Sequence, residues 1–207
     1  MLIVGAGGHA RELLEIVESV CDSKGIFFFD DTDSVTGFIY NKYKIIRSLE
    51  EAKEIFKSDN SFCIGVGNPE LRWSLAKKIK EIGGELHSAI SLSSSIGSYN
   101  VNLAKGLNIM QGAVITNDVS IDEGTLIHIN CSIHHDVSIG KYCEISPGAR
   151  LLGKSKIGDF CSIGTNAVIL PKVIIGNNVI VGAGAVVTRS IGDNVIAVGI
   201  PAKQKRK

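Results

Sequence analysis

The chain has 207 residues, 44% of them apolar, enough for one ordinary domain or two small ones with a sizeable core. Aromatics reach only 6%, so that core is mainly aliphatic, and 23 glycines against 4 prolines point to many tight turns. A net charge of +1 argues against a nucleic-acid binder, no apolar run reaches the length of a membrane span, and the opening MLIVGAGGHARELLEIV lacks the parts of a signal peptide. Five cysteines, an odd number without close pairing, fit a reducing cytoplasm better than a disulfide framework, so a cytoplasmic protein is expected.

Residues 1–85 read as a small α/β domain of alternating strand and helix, hence a parallel sheet. Met1–Val4 is a short buried strand, followed by the turn Gly5-Ala6-Gly7-Gly8-His9-Ala10 and a helix over Arg11–Ser19. Gly25–Phe29 is a second strand, closed by Asp30-Asp31. Leu49–Phe56 is helical, Phe62–Val66 is a strand, and Pro69–Ile82 is a helix with Asn68 as its N-terminal signal. The turn matches G-x-G-x-x-A between strand and helix, with acids about 25 residues on. A full dinucleotide fold needs two such halves, and 85 residues supply one. The turn therefore suits a single nucleotide, with phosphate at the helix N-terminus and Asp30 or Asp31 accepting from ribose or base. A plain tight turn beside a solvated acidic loop is the competing reading.

From residue 86 onward the period changes. Every sixth position from Leu103 to Val187 is aliphatic: Leu103, Ile109, Ile115, Ile121, Ile127, Ile133, Ile139, Ile145, Leu151, Ile157, Ile163, Ile169, Ile175, Val181 and Val187. Small or β-branched residues follow four places later, among them Cys131, Cys143 and Cys161. Glycine follows the aliphatic at Gly140, Gly158, Gly164, Gly176 and Gly182. Period six fits neither helix nor simple strand, but it fits a solenoid of short strands and turns with the aliphatics inward. Glycine would serve the turns, through positive φ or crowding. The three cysteines then read as core filler. The pattern resembles the hexapeptide-repeat family, which implies a left-handed parallel β-helix over 86–207 with a short C-terminal tail. At three hexapeptides per coil the fifteen units make five coils, and residues 86–102 form an irregular first coil.

Ile133-His134-His135-Asp136-Val137 sets imidazole beside carboxylate within one hexapeptide, as a general base for acyl transfer needs. Gly8-His9, Asp30-Asp31, His135-Asp136 and the ending Gly199-Ile200-Pro201-Ala202-Lys203 together resemble the PglD/NeuD branch of sugar acetyltransferases. That resemblance implies acetyl-CoA as co-substrate, no metal, a nucleotide-linked (UDP-, GDP- or dTDP-) amino sugar as acceptor for surface glycan synthesis, and a homotrimer with no nucleic-acid partner and no membrane insertion. It makes His135 the base and Asp136 its partner. It places Gly7, Gly8, His9, Asp30, Asp31, Gly67 and Asn68 at the sugar nucleotide, and Glu144, Gly153, Thr165 and Ala183 along acetyl-CoA. Gly153, one coil after His135, would offer its backbone N–H to the thioester oxygen. Two positions depart from the family: Glu144 stands where a second histidine is common, which weakens a contact to acetyl-CoA there, and His128 replaces an asparagine, either tuning the site or filling a turn.

Three rivals remain. A zinc hydratase would need histidines better spread than His128, His134 and His135. A non-catalytic scaffold leaves the His-Asp pair unused. A sialic-acid-type sugar O-acetyltransferase shares the β-helix chemistry and differs in the acceptor.

Overall fold

The computed structural model describes residues 1–20, 25–32 and 37–206; Cys21 falls outside them. The N-terminal part is one sheet with strands in the order β3-β4-β2-β1-β5-β6. These are β1 (Leu2–Val4), β2 (Phe27–Phe29), β3 (Phe38–Ile39), β4 (Tyr43–Ile46), β5 (Ser61–Ile64) and β6 (Glu85–Leu86). All neighbours are parallel except β3–β4. Helices α1 (Gly8–Val20), α2 (Leu49–Phe56) and α3 (Pro69–Glu81) cover it. The sheet can be almost wholly apolar because it is covered: Leu2, Ile3, Val4, Phe28, Phe62 and Ile64 are fully buried.

Three details differ from expectation. Helix α1 begins at Gly8 rather than Arg11, so His9 and Ala10 lie inside it. The sequence showed no sign of β3, β4 or β6. The β3–β4 hairpin turns through Tyr40 and Asn41, both at positive φ (50° and 53°), and a tyrosine there gives no turn signal.

The remainder is the left-handed β-helix. Two-residue strands stack into three flat faces with a register step of eighteen residues, as in Ile109↔Ile127, Ile115↔Ile133 and Ile121↔Ile139. We call these the first face (through Asn108–Ile109, Leu126–Ile127 and Glu144–Ile145), the second (through Ser132–Ile133) and the third (through Ser138–Ile139). Of the fifteen aliphatics of the period, fourteen are buried and Leu103 packs partly buried against them, with Cys131, Cys143 and Cys161 alongside. A further coil precedes the series: Ala89–Ile90 and Ser95–Ile96 pair with the strands at 108–109 and 114–115. Ile96 and Leu103 are seven residues apart, and this one-residue insertion hides the coil from a strict six-residue count.

The turns resolve how glycine is used. Glycines that follow the aliphatic have ordinary φ and are required by crowding: a Cβ on Gly140 would lie 2.7 Å from the Gly158 carbonyl carbon of the next coil. The positive-φ position comes two residues later and accepts Asn130, Asp136, Lys154, Asn166 and Lys172 as well as glycine. The β-helix ends in an antiparallel pair, Val195–Val198 with Lys203–Arg206, at the edge of the first face.

Candidate functional site

The glycine turn opens on a cavity of about 390 Å³ lined by Gly5–His9, Phe29–Thr32, Gly65–Gly67, Leu71 and Leu75. Gly5 has no alternative, with φ at +108° and Val66 Cγ1 2.9 Å from a Cβ built there. Gly7 and Gly8 are exposed, and a Cβ on either meets nothing within 4 Å, so the helix N-terminus faces open space. Gly65 lies against α1, since a Cβ there would sit 2.7 Å from Ala10 Cβ. The final alanine of the G-x-G-x-x-A run thus serves helix-to-loop packing.

The two acids divide their work. Asp30 is spent internally: Oδ2 accepts from Ala6 N at 3.0 Å and Oδ1 from Thr32 N at 3.0 Å, fixing the turn. Asp31 lies at the rim, ion-paired with Lys78. Asn68 turns its side chain into its own helix, accepting from Leu71 N at 3.0 Å as the N-cap of α3. It does not line the cavity.

Behind the turn, the N-terminal domain meets the first face of the β-helix through a polar junction. Arg72 is fully buried and donates to Gly124 O at 2.9 Å, Val66 O at 2.6 Å and Ile64 O at 3.2 Å. Burial lowers its guanidinium to about 10, with Glu144 opposing the shift. Asn108 donates to Ile64 O at 2.7 Å and lies 3.2 Å from His9 Nε2. Burial, then Arg72, then His128 drive the His9 pKa down to about 3, so the ring is neutral. The His9 and His128 rings are 5.1 Å apart, and His128 Nε2 is 3.5 Å from Glu144 Oε1. Glu144 also crowds Gly67, at 3.2 Å from a Cβ there. The structure therefore sets Glu144 beside the Gly65–Gly67 loop of its own chain. Arg72 and Asn108 were missed in the sequence. A signal existed for Arg72, which occupies an apolar-face position of α3 in step with Ala76 and Ile79.

His9, Glu12 and His128 offer one ligand atom each within 4.8 Å, the one such group among the described residues. Tetrahedral zinc holds its donors roughly 3.3 Å apart, from Zn–N bonds near 2.0 Å. With the Arg72 cation close to His9, this is a better polar junction than a metal centre.

His135 and Asp136 sit at the corner between the second and third faces. Asp136 takes φ of +60°, which swings neighbouring side chains to the same side. His135 Nδ1 lies 2.7 Å from Asp136 Oδ2, and both are exposed, at 62% and 46%. A carboxylate only accepts, so Nδ1 carries the proton, and in the neutral ring Nε2 holds the free lone pair. Gly153 lies one coil on: a Cβ there would be 2.5 Å from His135 Nε2. Lys154 N donates to His135 O at 3.0 Å, and among the described residues no acceptor meets the Gly153 N–H. Thr165 and Ala183 occupy the opposite corner of the second face, stacked through Gly184 N to Thr165 O at 2.8 Å. The structure thus groups Gly7, Gly8, His9, Asp30, Asp31 and Gly67 at one place, His135, Asp136 and Gly153 at another, and Thr165 with Ala183 at a third.

A groove of about 550 Å³ between β6 and the β-helix is lined by Lys80, Glu85, Lys105 and Glu123, which pair with one another and leave no convergent free group.

Two sequence families match: the PglD N-terminal domain over residues 1–79, and the bacterial transferase hexapeptide (six repeats) over 118–153 and 154–189. Comparison with curated proteins finds no match. Among solved structures, PerB from Caulobacter crescentus, in complex with CoA and GDP-perosamine, is 29% identical with TM-score 0.87, covering 99% of this chain and 96% of its own. WeeI from Acinetobacter baumannii AYE is 28% identical with TM-score 0.91, covering 99% and 98%. The acetyltransferase domain of PglB from Neisseria gonorrhoeae FA1090 is 25% identical with TM-score 0.86, covering 99% and 98%. Fold and matches define an acyltransferase of the hexapeptide-repeat β-helix class. Within that class the chain carries a PglD N-terminal domain ahead of its hexapeptide repeats and is similar over nearly its whole length to PerB, WeeI and the PglB acetyltransferase domain. No helix among the described residues is long and apolar enough to cross a membrane.

Proposed function

We propose that the chain transfers the acetyl group of acetyl-CoA to the amine of an amino sugar linked to a nucleoside diphosphate. The observation that carries this is the His135–Asp136 pair over Gly153, in a chain whose other half opens a nucleotide-sized cavity at a glycine turn. PerB, similar over its whole length, is described with CoA and GDP-perosamine.

On this reading the sugar diphosphate meets the α1 N-terminus at Gly7 and Gly8. Phe29, Leu71 and Leu75 offer apolar wall to the base, and Asp31 accepts from its polar edge or the ribose. The amine attacks the thioester carbon while His135 Nε2 takes its proton. Asp136 holds the tautomer and stabilises the imidazolium. The developing oxyanion takes the free Gly153 N–H. The C–S bond then breaks, the thiolate leaves with a proton, and the amide remains. Thr165 and Ala183 flank the pantetheine arm.

The cavity lies against the first face and the His–Asp pair at the corner between the other two. Acceptor and base therefore meet across copies, in a homotrimer with the site in the cleft between neighbours. Cys63, Cys131, Cys143 and Cys161 are buried, which fits thiols kept in a reducing cytoplasm.

Thiol release from acetyl-CoA against UDP-, GDP- and dTDP-linked amino sugars, with free sialic acid as the O-acetylation control, is the deciding assay. Turnover with one sugar-nucleotide class is expected. His135→Ala lowers kcat by roughly 10²–10⁴-fold, Asp136→Asn falls between it and wild type, and His134→Ala stays near wild type. Turnover only with sialic acid, or a dead His134→Ala beside an active His135→Ala, would overturn the assignment.

A further inference from the structure

The acids around the cavity differ in what they have left to offer a ligand. Asp30 accepts from the turn, Asp31 pairs with Lys78, and Glu12 stands in water at the rim, 3.7 Å from His9 Nδ1. Glu144 is unlike them. Its side chain is only 24% exposed, yet its carboxylate accepts no hydrogen bond among the described residues, and its one ion-pair partner is His128 Nε2 at 3.5 Å. It does not close on Arg72, whose Nη2 is itself buried without a partner. A carboxylate withdrawn this far from water is ordinarily hydrogen-bonded. The outward strand positions of the first face run Asn108, Leu126, Glu144, Ser162 and Ile180, and Glu144 alone of them is ionisable. The cavity leads to it. Gly67 and His9 line that cavity; Glu144 Oε1 lies 3.2 Å from a Cβ built on Gly67, and the His9 ring is 5.1 Å from the ring of His128. His128 and Glu144 are also the two positions at which the sequence departs from the pattern it otherwise resembles, and the fold brings the two departures into contact.

We infer that Glu144, backed by His128, receives the amine of the acceptor sugar and selects amino sugars over hydroxy sugars. The inference rests on the sugar-nucleotide reading above and adds to it the residue that recognises the reacting group. With the base against Phe29, Leu71 and Leu75 and the diphosphate at Gly7 and Gly8, the sugar extends to the end of the cavity at His9 and Gly67, against the first face. An aliphatic amine is mainly a cation near neutral pH, so it meets the carboxylate in a charge-assisted hydrogen bond. Once neutral it still donates an N–H to the same oxygen, which keeps the nitrogen in place for attack. A hydroxyl brings no charge, and an acidic sugar such as sialic acid brings the wrong one. The same carboxylate therefore disfavours both.

The test is calorimetric titration of matched UDP-, GDP- and dTDP-hexoses, each pair differing only in an amine or a hydroxyl at one carbon, into the full-length protein and into Glu144→Gln. In wild type the amino member of one nucleotide class is expected to bind about tenfold or more tighter than its hydroxyl partner. Its N-acetylated product, which carries no charge, binds like the hydroxyl partner. In Glu144→Gln amine and hydroxyl come within about threefold of each other, while the free nucleoside diphosphate binds both proteins alike. Circular dichroism establishes that the variant folds, and Glu144→Asp, which keeps the charge, retains a preference for the amine. Equal binding of amine and hydroxyl by wild type overturns the inference, whether or not the variant folds. So does a preference that survives in folded Glu144→Gln. A variant that loses the nucleoside diphosphate as well also overturns it, because Glu144 would then support the loop at Gly67 and not the amine. Binding is read without turnover, so failure of the proposed reaction shows separately, as absent thiol release.

Discussion

Gly153 lacks a side chain for a local steric reason, because the His135 ring fills the volume a Cβ would take. Its φ is not in the left-handed region, so Gly153→Ala adds no backbone strain. His135 is exposed and can swing away. Gly153→Ala is therefore expected to unfold within a degree or two of wild type in a thermal melt, yet to lose thiol-release activity by about tenfold or more, since positioning of the base is lost. His9 makes a different statement. Its pKa lies near 3 in the fold and near 6.5 once unfolded, so the unfolded chain binds the extra proton. The stability this neutral ring contributes is present above pH 6.5 and is lost as pH falls toward 3, at up to about 1.4 kcal/mol per pH unit. Urea unfolding between pH 7 and 4.5 should show a shallower decline for His9→Asn than for wild type; equal slopes would mean that His9 is not the group responsible. At this scale the sequence was half informative. Adjacency gave away His135–Asp136, whereas Arg72, Asn108 and Glu144 meet His9 and His128 only once two separate elements are docked.

Elements were more legible where a period repeats. Fifteen aliphatics at one spacing identify the β-helix because each inward strand position must meet the same kind of neighbour above and below. The first coil, read over 86–102, showed only as irregular because one inserted residue breaks that spacing, and β3, β4 and β6 escaped because strands of two to four residues carry too little pattern. Helix α1 started three residues early because Gly8, His9 and Ala10 look like turn while packing demands helix: Ala10 has to sit against Gly65. The open ground before Gly8 makes a clean test of what this turn holds. A Cβ at Gly8 meets no atom within 4 Å, so Gly8→Val should melt close to wild type while projecting into the cavity. Titration should show sugar-nucleotide affinity reduced by about tenfold or more, as expected where a side chain displaces a ligand that needs close backbone approach, with CoA affinity kept. Tight binding of NAD and none of UDP-, GDP- or dTDP-sugars would refute the pocket's reading.

For the whole molecule, the separation of cavity and base has a consequence that mixing can expose. On the proposed reading, Gly8→Val damages the acceptor site of one chain and His135→Ala the base of another. If the two meet only across copies, co-refolding the inactive variants yields mixed assemblies in which some clefts are intact. Thiol release should rise well above the sum of the separate variants, and light scattering should report a trimer. No recovery in verified mixed trimers would place the whole reaction within one chain. The terminal pair at Val195–Val198 and Lys203–Arg206 bears on a different matter. Stacked coils present the same row of backbone donors and acceptors at every level, so a β-helix has no intrinsic length and its bare ends invite further chains. By reversing direction and laying a lysine-rich strand along the last rung of the first face, the chain terminates its own template. A strand laid there thereby blunts an edge that would otherwise invite fibre-like stacking.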